Sequence, residues 1–289
     1  MMPLTYEEKK FLKRALKQDS GKGDLTACIF DGDTGSARII AEEDCVLSGM
    51  EALEYIFNWT GADIEFSEWA LSGSICGKGE VIATVSGPLE ALLRAERVAL
   101  NTISRMSGIA TISRKASDIA EKASTDTRVA GTRKTTPMFA LFEKRALADG
   151  GALPHRPDLS SMAILKDNHL AALGGGPKAV LCGVEMLRER YGPYIRIEVE
   201  VEDIPSGIAA VEVGADIIML DNFSPEGLSK ASREIRRYSE GQGREVTLEA
   251  SGGITLENLD LYAPHVDVVS MGQLTYGASA VSFKMEYVP

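Results

Sequence analysis

Apolar positions recur at two different spacings along this chain, and the rhythm changes near residue 124. Within residues 1–17, Leu4, Phe11, Leu12 and Leu16 form the apolar set of a short helix, which a turn over residues 19–24 ends. From about residue 35 to 86 the pattern is strand-like. Residues 37–41, 62–66 and 79–85 read as strands, Gly73, Gly77 and Gly87 as turns, and residues 51–59 as a helix. These elements predict a small α+β domain built on an antiparallel sheet. Ser86-Gly87-Pro88 reads as a helix cap with an early proline. A long helical region follows to about residue 123, with Leu92, Leu93, Ala99, Leu100, Ile103 and Met106 on its buried side and a kink expected at Ser107-Gly108.

Beyond residue 124 short apolar runs alternate with helical patterns. Runs at 128–131, 164–165, 195–201, 217–220, 246–248 and 266–271, with helices at 208–213 and 228–238, predict parallel βα units. Many runs end in polar residues: Thr132-Arg133-Lys134, Lys166-Asp167-Asn168-His169, Glu200, Asp221-Asn222, Glu249-Ala250-Ser251 and Gly272. Polar groups at the carboxyl ends of adjacent parallel strands converge on one mouth, where barrels and open sheets carry their chemistry. The second half is therefore an α/β barrel candidate with fewer than eight visible strands.

Composition narrows the function classes. The 289 residues are 44% hydrophobic and 25% charged, with 28 Gly and 11 Pro dispersed throughout, which describes a compact protein and excludes a disordered scaffold. No stretch approaches the roughly 18 consecutive apolar residues that cross a bilayer, and the first twenty residues lack the apolar core of a secretory signal, so a cytoplasmic protein is expected. Opposing 31 Lys and Arg with 42 Asp and Glu gives a formal charge of -11, which disfavours nucleic acid as a partner. Cys28, Cys45, Cys76 and Cys182 form no CxxC pair and are expected to be ordinary small apolar residues. His155, His169 and His265 form no HExxH.

Three groups could carry chemistry. Arg133, Lys134, His155, Arg156 and Lys166 concentrate positive charge in an acidic chain, and cations that converge require an anionic ligand such as a small dicarboxylate or a sugar phosphate. A solvated charge run is the alternative, and for His155 a structural histidine between Pro154 and Pro157. Glu200 and Asp221 end successive runs, and Glu198, Glu200 and Glu202 share one face of an extended strand. Carboxylates facing into a barrel suit Mg²⁺; ion pairs to the lysines are the alternative. Ser251-Gly252-Gly253 after one strand, ahead of a helical pattern over 255–261, and Gly272 after the next can close backbone N–H groups around a phosphate. No GxGxxG or Walker motif occurs.

The segments GDLTA (23–27), AERVALNTISRMSGIAT (95–111), GTRKTTP (131–137), GGALPHRPDL (150–159), ILKDNH (164–169), IEVEVE (197–202), IIMLDN (217–222), EASGGI (249–254) and SMGQLT (270–275) resemble, in order, the quinolinate phosphoribosyltransferase family of type II phosphoribosyltransferases. The resemblance implies an α/β fold in which an N-terminal α/β sandwich domain, residues 1–112 joined by the tail 276–289, accompanies an incomplete α/β barrel over residues 113–275. It implies transfer of phosphoribosyl from phosphoribosyl pyrophosphate to quinolinate, with Mg²⁺, giving nicotinate mononucleotide, pyrophosphate and carbon dioxide. Arg133, His155, Arg156 and Lys166 would grip the dicarboxylate, joined by Arg97 from the partner of a homodimer, or of a higher oligomer. Lys134 would stand between the substrates, Glu200 and Asp221 would serve the ribose and the metal, and Ser251, Gly252, Gly253 and Gly272 would hold the 5'-phosphate. The chain departs from the family pattern at Met138-Phe139-Ala140, where a glycine and then an arginine are usual, at Ala152-Leu153-Pro154, where a further glycine and an asparagine precede the His-Arg pair, and at Tyr276-Gly277 in place of His-Ser. One cation fewer suits a monocarboxylate, so a nicotinate phosphoribosyltransferase or related enzyme is the alternative; a non-enzymatic binding protein is the third reading.

Overall fold

The computed structural model describes residues 3–288, so residues 1 and 2 of the first predicted helix lie outside the described residues. The chain runs α1 (Tyr6–Ser20), β1 (Thr34–Ala41), β2 (Cys45–Val46), α2 (Met50–Trp59), β3 (Glu65–Ser67), β4 (Ile75–Cys76), β5 (Val81–Pro88) and α3 (Leu89–Ala123). It continues through β6 (Arg128–Ala130), α4 (Ala140–Asp149), β7 (Ala163–Leu165), α5 (Asp167–Ala172), α6 (Gly176–Tyr191), β8 (Ile197–Val201), α7 (Ile204–Val213) and β9 (Ile217–Asp221). The last elements are α8 (Pro225–Gly241), β10 (Thr247–Ser251), α9 (Leu259–Tyr262), β11 (Val268–Ser270), α10 (Gln273–Tyr276) and β12 (Phe283–Val288). Two compact units result. The first takes the chain up to Arg114, residues 135–151 and the stretch from Leu274 on; the second takes 115–134 and 152–273. Segment 135–151, counted with the barrel in the sequence reading, packs in the first unit.

In the first unit, four strands pair antiparallel in the order β12-β1-β5-β3, so the C-terminal strand returns to β1. Thr5 caps α1 reciprocally with Glu8, and Leu12 and Leu16 fill its buried stripe. Two sequence expectations fail here. Ser86-Gly87-Pro88 is the end of β5, with Pro88 opposite Thr34, and α3 starts directly at Leu89. The helix also continues unbroken through Gly108. A Cβ there would lie 1.9 Å from the Ser279 carbonyl oxygen, so the glycine serves a close backbone approach and not a kink. Cys45 and Cys76 are buried cross-strand neighbours, and burial pushes the Cys45 thiol up to about 12; Cys28 and Cys182 are exposed.

The second unit is a six-stranded parallel sheet in the order β6-β11-β10-β9-β8-β7. Its first strand in sequence lies beside its last, so the order is that of a barrel opened between β6 and β7, and an isolated parallel bridge from Ala130 to Leu153 extends into that gap. Val199, Ile218, Leu248, Ala250 and Val269 are fully buried, as strands covered on both faces require. At the amino ends, two aspartates repeat one device. Asp216 accepts the Ile197 N–H (2.7 Å) and Arg188 (2.8 Å), and Asp267 accepts the Leu248 N–H (2.7 Å) and Arg236 (2.8 Å). Each secures the start of a neighbouring strand, which leaves the opposite, carboxyl ends for chemistry. Among the described residues no helix is long and apolar enough to cross a membrane.

Candidate active site

Strand register aligns the polar ends. Leu165 pairs with Val199, Val201 with Leu220, and Asp221 with Ser251, so Lys166, Glu200, Asp221 and Ser251 stand at one end of the sheet. Lys166 Nζ lies 3.1 Å from Glu200 Oε2. Burial raises the Asp221 carboxyl above its ordinary value; the charges of Glu200 and Glu202 add to this, and Lys166 and Lys134 oppose it. Glu202 itself is exposed, one residue past the end of β8. The Met271 N–H donates to the Ala130 carbonyl, which sets the loops after β6 and β11 side by side: a Cβ on Gly272 would stand 3.0 Å from Lys134 Cδ. Arg156 is buried, its Nη1 donates to the Met162 carbonyl at 2.8 Å, and its Nε has no protein partner. Burial and then the charge of Arg133 lower its pKa. Arg133, Lys134, Arg156, Lys166, Glu200 and Asp221 thus share one unit and one electrostatic environment. Arg97 belongs to the first unit, on α3, with its side chain 63% exposed.

His155 stands apart from the other cations. Its backbone is left-handed (φ 57°), and Nδ1 accepts the Arg156 N–H at 2.8 Å. A neutral ring then carries its proton on Nε2. That atom faces Glu249 Oε1 at 3.4 Å and Glu198 Oε2 at 3.6 Å. Both carboxylates are buried; neither Glu198 oxygen nor Glu249 Oε1 has a hydrogen-bond partner. Burial first, and then the Glu249 charge, push Glu198 up to about 8. One ligand atom from each of the three residues falls within 4.8 Å of the others, so this group could hold a divalent ion; Glu200 and Asp221, the metal residues of the sequence reading, are not part of it. Glu249 was read only as the end of a strand. Period two places Glu198 on the face of Glu200, as the sequence predicts; the same spacing places Glu249 two residues before Ser251, one layer deeper, and that is the signal left unused.

The glycine loop also differs from expectation. Gly252 and Gly253 both have positive φ (95° and 61°), and a Cβ on Gly252 would stand 2.2 Å from Asn222 Oδ1, so the loop needs glycine there. Regular helix begins only at Leu259 and lasts four residues, so no helix N-terminus faces the loop; any phosphate held here would rely on loop amides. His169 of the LKDNH segment accepts the Lys166 N–H at 3.0 Å and shapes the start of α5. In the first unit, Met138 takes φ 68°, a left-handed conformation that favours glycine, at the position where the resembled family pattern has glycine.

Residues 24–107 match the N-terminal domain model of quinolinate phosphoribosyl transferase, and residues 109–286 match its C-terminal domain model. The chain belongs to this family. Among quinolinate phosphoribosyl transferase relatives, it is 39% identical to the nicotinate-nucleotide pyrophosphorylase [carboxylating] of Homo sapiens, over 94% of this chain and 88% of that protein. It is 38% identical to the probable enzyme of that name from Archaeoglobus fulgidus, over 91% and 97%. The crystal structure of NadC from Streptococcus pyogenes superimposes with a TM-score of 0.89 at 32% identity, covering 100% of both chains.

Proposed function

We infer that this chain transfers the phosphoribosyl group of phosphoribosyl pyrophosphate to quinolinate and releases nicotinate mononucleotide, pyrophosphate and carbon dioxide. The observation that carries this reading is that the family match runs through both domain models while the second unit gathers cations and carboxylates at one end of its sheet. Arg133, Arg156 and Lys166 grip the dicarboxylate, with the unpartnered Nε of buried Arg156 available as a donor. Lys134 stands between acid and sugar. Departure of pyrophosphate builds positive charge on the ribose, and Glu200 and Asp221 favour that state over the ground state. Ser251, Gly252, Gly253 and Gly272 hold the 5'-phosphate.

Glu200 and Asp221 suit Mg²⁺: both offer oxygen donors at strand ends, and the repulsion from Glu200 and Glu202 that adds to burial in raising Asp221 is what a divalent cation relieves. Held by Glu200 and Asp221, such an ion would supply charge neutralisation on the leaving pyrophosphate. Sugar transfer precedes decarboxylation, because the ring carbon sheds carbon dioxide more readily once the ring nitrogen carries positive charge. We further propose a cytoplasmic homodimer in which Arg97 completes the partner subunit's acid pocket.

The segment Met138-Phe139-Ala140, which lacks the arginine usual in the family pattern, favours one competing reading, a nicotinate-using enzyme. Incubation with Mg²⁺, phosphoribosyl pyrophosphate and either acid separates the two. We expect quinolinate to be consumed with release of carbon dioxide. Product from nicotinate alone would transfer the assignment, and calorimetry that detects neither acid, even with the sugar substrate bound, would favour a binding protein.

A further inference from the structure

We propose that Arg105 and Glu143 form a positioning clamp for the reaction, acting through the two chain segments that carry Lys134 and Gly272. The proposal rests on the transferase reading above. Glu143, on α4, is fully buried, and its carboxylate accepts four donors. Oε1 receives Arg105 Nη2 (2.8 Å), Arg105 Nε (3.3 Å) and the Thr136 hydroxyl (2.8 Å), and Oε2 receives the Thr136 N–H (3.0 Å). Arg105, on α3, uses its remaining donors on a second segment: Nη2 also reaches the Thr275 carbonyl and Nη1 the Ala278 carbonyl, both at 2.8 Å. One ion pair inside the first unit therefore fixes two segments that are far apart in sequence.

Those segments continue directly from candidate site residues. Only Thr135 separates Thr136 from Lys134, and Gln273 and Leu274 separate Thr275 from Gly272. Within the second unit Lys134 and Gly272 come together again, with 3.0 Å between Lys134 Cδ and a Cβ built on the glycine. The two segments are thus registered at two successive places. A buried carboxylate is costly unless it is fully hydrogen-bonded and paired, and Glu143 meets both conditions, paired with Arg105 and hydrogen-bonded by Thr136 of the first of these segments. Plain scaffolding would not need the Thr136 side chain, since its N–H already ties the backbone to Glu143. The additional hydroxyl bond fixes the direction of the backbone just after Lys134, and a misplacement of about 1 Å at a reacting group can cost on the order of a hundredfold in rate.

The test uses the full-length chain with Mg²⁺ and both substrates. Thr136→Val keeps shape but loses the hydroxyl, whereas Thr136→Ser keeps the donor. We expect Thr136→Val to lower kcat by about tenfold or more, with KM for quinolinate changed by less than about threefold, a thermal midpoint close to that of the unmodified chain, and most of the rate restored by Thr136→Ser. Glu143→Gln, which keeps the volume and removes the charge opposite Arg105, should lower kcat at least as far. If Glu143→Gln does not fold, the Thr136 pair decides. Equal rates for the valine and serine variants, or a loss of kcat matched by a loss of folded protein, would overturn the clamp. An active unmodified chain with a fully active Thr136→Val tells against the clamp alone, whereas an inactive unmodified chain removes the transferase reading and the clamp together.

Discussion

His155, Glu198 and Glu249 show how burial changes the meaning of a residue type. Read along the chain, His155 is a cation beside Arg156; in the fold it meets two buried carboxylates, and Glu198 keeps its proton to about pH 8. A free glutamate loses that proton near 4.5. Between those values the folded chain holds a proton that the unfolded chain has released, so this contribution to stability is complete below 4.5 and is lost as the pH rises through about 8. Glu198→Gln should remove the dependence: denaturation midpoints of the unmodified chain should fall between about pH 5 and about pH 9 more steeply than those of the variant. Parallel curves would show that Glu198 does not hold the proton. Arg133, Lys134, Lys166, Glu200 and Asp221 stand out in the sequence because each lies at the end of an apolar run. Period two marks Glu198 as a companion of Glu200, but its meeting with Glu249 and His155 is not legible, since no spacing along the chain connects the three until the neighbours across the sheet are known.

At the scale of elements, the strands of the second unit could be read from alternation, while α4, α5 and α6 were passed over. Their turns are short or rich in polar residues, and only packing identifies their buried faces. Gly108 illustrates a second limit. From sequence, glycine inside a helix suggests a bend; its actual constraint comes from Ser279, some 170 positions away. Replacing a helical glycine by alanine ordinarily stabilises by about 1 kcal/mol. Here the added methyl would stand 1.9 Å from a carbonyl oxygen, so Gly108→Ala should destabilise by roughly 1–3 kcal/mol, measured by urea denaturation. A variant more stable than the unmodified chain would contradict the close approach. The Asp216 and Asp267 latches follow the same logic, pairing residues that neither helical nor strand periodicity connects.

For the whole molecule, the proposed dimer makes a prediction that no single chain can satisfy. Arg97→Ala and Lys134→Ala chains, each inactive alone, should recover partial activity when mixed and allowed to exchange subunits; no recovery despite demonstrated exchange would count against a composite site. The overall α/β plan is visible in the change of rhythm near residue 124; the interrupted ring follows from the family resemblance and not from the pattern itself, because a gap leaves no apolar run to count. That interruption has a use. In a strand, successive side chains leave on opposite faces. Between Leu153 and Ala163 the backbone answers to no ladder, and the left-handed turn at His155 lets two consecutive residues address the same carboxylate, Glu198: the imidazole from 3.6 Å, and Arg156 through its charge. Leaving the ring open thereby lets a short stretch of chain direct two consecutive side chains toward a single group.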